Sequence, residues 1–180
     1  MAARTPLTLG RASPSFRFPT FDDAARIGLL VSSGLSDAPS APIERDELGA
    51  DLEQVGRDFV SAHLFGNETV LLADLGRHTA GLARLVPREF VRAAHVGTLQ
   101  ILVAPNHRHQ GVGRALLAAA LADGFGRRRF ERIEMAVAAN DLALLRLTQA
   151  PQWTLERLEH QSLCVYGDYV DVGIWVTERP

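Results

Sequence analysis

The sequence predicts an α/β (α+β) fold on a mixed sheet: antiparallel strands first, then a central parallel pair flanked by helices, then a C-terminal β-hairpin. Three observations carry this. Leu99, Ile101 and Val103 alternate with Gln100 and Leu102 until Pro105 stops the run, and beyond two glycines Leu116, Leu117, Ala120 and Leu121 share one helical face. The hydrophobic period therefore switches from that of a strand to that of a helix between Pro105 and Gly113. Residues 68–75 and 79–86 are two β-rich runs around Gly76-Arg77-His78, the spacing of a hairpin with a short glycine loop. After the helix a further β-rich run, residues 133–137, must lie parallel to the strand before it, because such crossovers are right-handed in nearly all cases.

The remaining elements follow in chain order. Residues 1–15 hold Arg, Ser, Thr and Pro without periodicity and read as a mobile arm, leading into a first strand at 16–18. Thr20 with Asp23 forms a capping box, and Ala24, Ile27, Leu30 and Val31 recur at helical spacing until Gly34. Residues 34–43 are a loop rich in Pro, Ser and Gly, after which Leu48, Leu52, Val55 and Phe59 mark a second amphipathic helix. Residues 87–94 connect the hairpin to a third antiparallel strand at 95–103. Asn140 or Asp141 caps a short helix over 142–149 that Pro151 ends. Residues 153–158 and 161–166 lead through Gly167-Asp168 to a last strand at 169–176, and Arg127 to Arg129 complement the C-terminal dipole of the long helix.

A chain of 180 residues, 47% hydrophobic and 22% charged, suits one soluble domain with a full core, here residues 16–180. The net charge of −2 excludes a nucleic-acid binder held by phosphate neutralisation. A single cysteine, Cys164, rules out an internal disulfide and fits a reducing compartment; in a β run it is expected to be buried. Neither a membrane span nor a signal peptide is indicated, so the expected location is cytoplasmic. All 19 cationic side chains are arginine, so no lysine can act as a base or acetylate itself.

The turn between strand and helix carries the chemistry. It leaves the first amides of the helix unpaired at the positive end of the helix dipole, where a pyrophosphate is favoured, and Arg108, Arg114, His107 and His109 add charge. Gly111 and Gly113 permit unusual backbone angles and close approach of phosphates to main chain. A P-loop would need Gly-Lys-Ser/Thr and a dinucleotide fingerprint a third small residue; here Arg114 and Leu116 stand at those places, which disfavours a nucleotide-binding domain. His107 and His109, the only close histidine pair, have no cysteine at ligand spacing, so no metal is expected.

The segment Arg108-His-Gln-Gly111-Val-Gly113 resembles the acyl-CoA-binding signature of the GNAT superfamily of N-acyltransferases, Gln/Arg-x-x-Gly-x-Gly/Ala. Val103-Ala-Pro105 before it, the later strand reaching Asn140 with Ala143 three places on, and the hairpin-like 165–171 are similar to the same family, so the resemblance covers roughly residues 68–176. It implies acetyl-CoA as co-substrate and transfer of acetyl to a primary amine, on a small molecule or peptide, by direct attack, with backbone dipoles stabilising oxyanion and thiolate. The two parallel strands would splay, with the pantetheine arm along the main chain of Ile101, Leu102 and Val103. The phosphates would fall on Arg108, His109, Gln110, Gly111, Val112, Gly113 and Arg114, and Asn140 would touch the pantetheine or acyl region. Ser36, Asp37 and Ser40 would lie in the loop that borders the acceptor, and strand-mediated homodimers are common in the family.

Two positions depart from the pattern. The family commonly has a glutamate base where this chain has Thr98, and a tyrosine acid seven residues after the asparagine, where this chain has Leu147. Threonine is no base near neutral pH and leucine has no proton to give. His95, Tyr166, Tyr169 and Asp171 are candidate substitutes of equal standing, so the catalytic residues stay unassigned. The departures also admit a non-catalytic acyl-CoA-binding or regulatory module.

Overall fold

The computed structural model describes residues 13–180; most of the expected N-terminal arm, residues 1–12, lies outside them. The elements are β1 (Ser15–Arg17), α1 (Ala24–Leu35), α2 (Leu52–Leu64), β2 (Thr69–Leu75), β3 (His78–Pro87), β4 (Val96–Val103), α3 (Val112–Gly126), β5 (Arg132–Ala138), α4 (Leu142–Leu147), β6 (Thr154–Val165) and β7 (Asp168–Glu178). The strands form one sheet in the order β1-β2-β3-β4-β5-β7-β6, in which only β4 and β5 are parallel.

Both faces of the sheet are covered, so its central strands are apolar on both sides rather than alternating. Val70, Leu72 and Leu82 turn toward Ile27, Leu30 and Val31 of α1 and Val60 of α2. Leu71, Ala83, Leu85, Leu99, Ile133 and Met135 turn the other way, toward Leu116, Leu117 and Ala120 of α3. The helices α1 and α2 touch through glycine: a Cβ on Gly28 would stand 1.8 Å from the Leu52 carbonyl oxygen, and one on Gly56 1.8 Å from that of Ala24. The chain enters α1 as expected. The Thr20 amide donates to the Asp23 carboxylate at 2.9 Å, and Arg17 clamps Asp23 through two bonds of 2.7 Å while reaching Asp74 of β2 at 2.6 Å. Those bonds, Arg17 first, outweigh burial and hold the Asp23 carboxyl down at about 2.

The parallel pair is joined over three rungs only, Val96↔Arg132, Gly97↔Ile133 and Thr98↔Glu134. The last rung is fixed by Glu134, which is buried between Arg132 and Arg88 at 2.9 Å each; burial pushes its carboxyl up, but the two guanidiniums leave it below the usual range. Beyond it β4 continues with β3 to Val103↔Gly81, and β5 with β7 to Ala138↔Val172, so the sheet opens into a wedge-shaped seam.

Several boundaries differ from the sequence reading. Leu48 belongs to a separate 3₁₀ turn, because Asp51 accepts the Gln54 amide and starts α2 anew. Asp141, not Asn140, caps α4, accepting the Leu144 amide at 3.0 Å, and that helix stops at Leu147. Cys164 is exposed, contrary to expectation, because it sits opposite Tyr169 near the tip of the outermost hairpin, where no layer covers it. Arg127 folds back to Asp123 at 2.7 Å and to Thr69 at 3.1 Å.

Candidate active site

The seam ends at the start of α3. Gly111 is the residue before the helix and adopts φ +88, a left-handed conformation that a side chain disfavours, and His109 two residues earlier has φ +58. The first helical bond is Ala115 N–H to Gly111 O at 3.0 Å, so the amides of Val112, Gly113 and Arg114 have no acceptor inside the helix. They face outward at the positive end of a helix of 15 residues.

The register shows which main-chain groups face the seam. Ala104 N–H donates to Ala80 O and Arg88 N–H to Val96 O, so the even-numbered residues of β4 bond to β3. The amides and carbonyls of Leu99, Ile101 and Val103 therefore point toward β5. On β5 the bonds Ala139 N–H to Asp171 O and Arg179 N–H to Glu131 O commit the odd-numbered residues to β7, which turns Ala136 and Ala138 toward β4. Between Leu99 and Ala138 the seam is thus lined on both edges by main-chain donors and acceptors that the sheet does not use.

A cleft of about 880 Å³ runs through this seam and out beneath the α1–α2 loop and the β6–β7 hairpin. Of the residues expected to hold the coenzyme, Ile101, Leu102, Val103, Arg108, His109, Gly111, Gly113 and Arg114 line it. Leu102 does so by its side chain, since its main chain belongs to the β3 ladder. Val112 is in the core and can offer only its amide, Gln110 turns its side chain to the Asn106 carbonyl, and Asn140 is exposed outside the cleft lining. Arg108 does not point out toward the α3 amides: it donates to Val103 O at 3.1 Å and Gly34 O at 3.3 Å and pairs with Asp37.

The loop expected to border the acceptor is tied across the seam. Ser40 Oγ donates to Asp141 Oδ2 at 2.7 Å and accepts the Ala138 amide at 2.9 Å, while Tyr166 at the hairpin tip donates its hydroxyl to Ser36 O at 2.9 Å. Sequence reasoning did not connect these residues, because Ser40 and Asp141 lie 101 positions apart and Ser36 and Tyr166 130.

Thr98 lines the cleft at the last paired rung, and Leu147 lines it beside Gly113, where a Cβ would come within 3.7 Å of the leucine. The four candidate substitutes lie outside the cleft lining. His95 precedes β4, Tyr166 and Tyr169 are exposed on the hairpin, and Asp171 bonds to His160 and the Gln161 amide. The sequence reading missed the far walls of the cleft: Val31 and Leu35 of α1, Ile43 of the α1–α2 loop and Phe59 of α2, and Glu159, Ser162 and Leu163 from β6. One signal was present, the break between β runs at Glu159 and His160, where β6 bulges. Among the described residues no group of three His, Cys, Asp or Glu could hold a metal, and no helix is long and apolar enough to cross a membrane.

Comparison with known proteins gives a consistent result. The family model described as the acetyltransferase (GNAT) family matches residues 37–150. No curated protein matches the sequence. Among solved structures, ribosomal-protein-alanine N-acetyltransferase from Brucella melitensis is similar with a TM-score of 0.80 at 21% identity, over 91% of this chain and 99% of that one. The yncA protein of Salmonella typhimurium, solved with its cofactor acetyl-CoA, gives 0.81 at 20% identity over 93% and 94%. A GNAT superfamily phosphinothricin acetyltransferase from Sinorhizobium meliloti, in complex with acetyl-CoA, gives 0.79 at 17% identity over 93% and 89%. At these identities the likeness establishes a shared fold.

Proposed function

This chain belongs to the acetyltransferase (GNAT) family, and we propose that it moves an acetyl group from acetyl-CoA to a primary amine by direct attack. The observation that carries this reading is the open seam between β4 and β5, with main-chain groups outside the sheet's own ladders on both edges, leading to the unpaired amides of α3. The seam fits the coenzyme. The main-chain groups of Ile101 and the amide of Val103 match the amides of a pantetheine arm, and the α3 amides with His109 and Arg114 favour a pyrophosphate. Two relatives of the same fold solved with acetyl-CoA support the coenzyme.

Bound acetyl-CoA supplies an activated thioester. This chain's own residues then bind, orient and exclude water. The β4 and β5 main-chain groups are fixed by the sheet before anything binds, so they can stabilise charge developing on the thioester oxygen and sulfur without reorganising. The Ala138 amide, carried by Ser40 in the free protein, is one such donor. Neither Thr98 nor Leu147 moves a proton. The reading covers residues 16–180 as one acyltransferase domain in the cytoplasm.

A second reading, an acyl-CoA-binding module without turnover, is favoured by Thr98 and Leu147 standing in the cleft where proton-transferring groups would be useful. Release of free thiol from acetyl-CoA, followed with a panel of primary amines, separates the two. Amine-dependent release supports the transferase. Saturable coenzyme binding with no release by any amine supports the module.

A further inference from the structure

The strand β6 breaks its ladder with β7 beside the cleft. It pairs through Glu159↔Val172 and resumes at Leu163↔Val170, so residues 160–162 stand against Asp171 alone. Gln161 takes φ +52, a left-handed conformation costly for a residue with a side chain. Asp171 pins it: one carboxylate oxygen accepts the Gln161 amide at 2.8 Å and the other meets His160 Nδ1 at 3.1 Å, and these bonds hold the Asp171 carboxyl below its usual range. Bulges of this kind re-aim side chains. Here the result is that Glu159, Ser162 and Leu163 all face the cleft.

Glu159 is placed to meet an acceptor. Its register with Val172, and that of Val172 with Ala138, puts all three on the sheet face that carries Thr98 and Gln100. It lies two strand spacings from the seam edge, about 10 Å, a gap that a glutamate side chain and a bound amine can bridge. The other carboxylates on the cleft wall are engaged elsewhere: Asp37 with Arg108, and Asp141 with Ser40 and the Leu144 amide. Arg84, the cation at that end of the cleft, is closed onto Glu68 by bonds of 2.5 and 2.7 Å. Glu159 has only half-exposed partners, Arg157 at 3.1 Å and Ser162 at 3.3 Å, which a ligand can replace or join. Opposite it the wall is apolar, with Val31, Leu35, Ile43, Leu48 and Phe59.

Resting on the transferase reading, we infer that Glu159 receives the ammonium group of the acceptor and takes its proton, and that the acceptor is a primary amine on an apolar body. The ammonium passes one proton to the Glu159 carboxylate. The freed lone pair forms a C–N bond to the thioester carbonyl carbon as the C–S bond breaks. The N-protonated amide gives its second proton to solvent, the thiolate takes one from solvent, and Glu159 returns its proton to solvent, so the amide and free thiol leave with a net release of one proton. The charged and titratable groups on neighbouring elements are Arg157 and His160 on β6, Asp171 on β7, Asp141 at the start of α4 and Asp37 in the α1–α2 loop.

The test is thiol release with 2-phenylethylamine from pH 6.5 to 9.5 for the wild type, Glu159→Gln and Glu159→Asp, with acetyl-CoA affinity measured by calorimetry on each. Glu159→Gln should lower kcat/KM roughly 10²–10³-fold near neutral pH, as for loss of a working base. The loss should shrink as pH approaches the pKa of the amine, where the neutral amine needs no base. Glu159→Asp should recover part of the rate, and the coenzyme affinity should not move. A glutamine variant within threefold of wild type throughout, or a loss that stays constant with pH, overturns the inference. So does a wild type that binds acetyl-CoA but acetylates only amines without an apolar body. A wild type that does not bind acetyl-CoA overturns the underlying reading instead.

Discussion

The half of the cleft proposed for the coenzyme is made largely of main chain, and the half proposed for the acceptor is made of side chains. The first side is one continuous stretch, from Leu99 through the turn at Gly111 to Arg114, whose groups are aimed by strand register and helix geometry. The second is assembled from α1, the α1–α2 loop, α2, β3 and the bulged β6, held by contacts such as Ser40–Asp141 and Tyr166–Ser36. Main chain can hold a ligand whatever the side chains are. Side chains from distant segments choose the partner. The coenzyme side should therefore tolerate side-chain loss and fail on backbone change, and the acceptor side should do the reverse.

The largest effect should come from the backbone of the turn. Gly111→Pro forces φ away from +88, and acetyl-CoA affinity by calorimetry should fall at least ~100-fold, about 2.7 kcal/mol, in a variant whose circular dichroism is unchanged. Gln110→Ala, next to it, should leave that affinity within about twofold, since its side chain meets only the Asn106 carbonyl.

Arg108→Ala crosses the divide. It belongs to the coenzyme motif but holds Asp37 and the Gly34 carbonyl, so it should raise the amine KM about tenfold while changing acetyl-CoA affinity less. An equal loss in both would erase the distinction.

Acid should weaken the support of α1 under the helical wall of the cleft. The Asp23 carboxyl lies at about 2 in the folded protein against an ordinary 3.8. Its contribution, about 2 kcal/mol, is present above pH 4 and is lost as pH falls toward 2. Urea midpoints measured from pH 5 to pH 2.5 should fall in the wild type and fall less in Asp23→Asn.

The smallest effect is expected at Thr98. Thr98→Ala should change turnover only a few-fold, against the ~10²–10⁴ of a lost general base, and a collapse of turnover with stability intact would return that role to β4.

The same divide governed what was legible in the sequence. The strand, turn and helix around Gly111 are written in neighbouring residues, so period, glycine spacing and charge sufficed to locate them. The capping box of Thr20 and Asp23 and the hairpin at Gly76 were readable for the same reason. The cap of α4 lay between two adjacent residues that both suit the position, and only the fold, by burying Asp141, chose between them. Glu159 gave no sign beyond a break in the β pattern, because its aim depends on Asp171 bonding a bulge across the hairpin. The partners of Arg108 could not be read either: its type matches the motif, but the carbonyls and carboxylate it bonds belong to β4, α1 and the α1–α2 loop.

The most direct test of the account is hydrogen exchange at individual β4 amides, with and without saturating acetyl-CoA. If the coenzyme lies along the open edge of the seam, the Ile101 and Val103 amides should slow at least ~10-fold on binding, while Leu102, already bonded into the β3 ladder, should change little. Unchanged exchange at Ile101 and Val103 under saturating coenzyme would contradict the account, because the seam would then not be where acetyl-CoA binds.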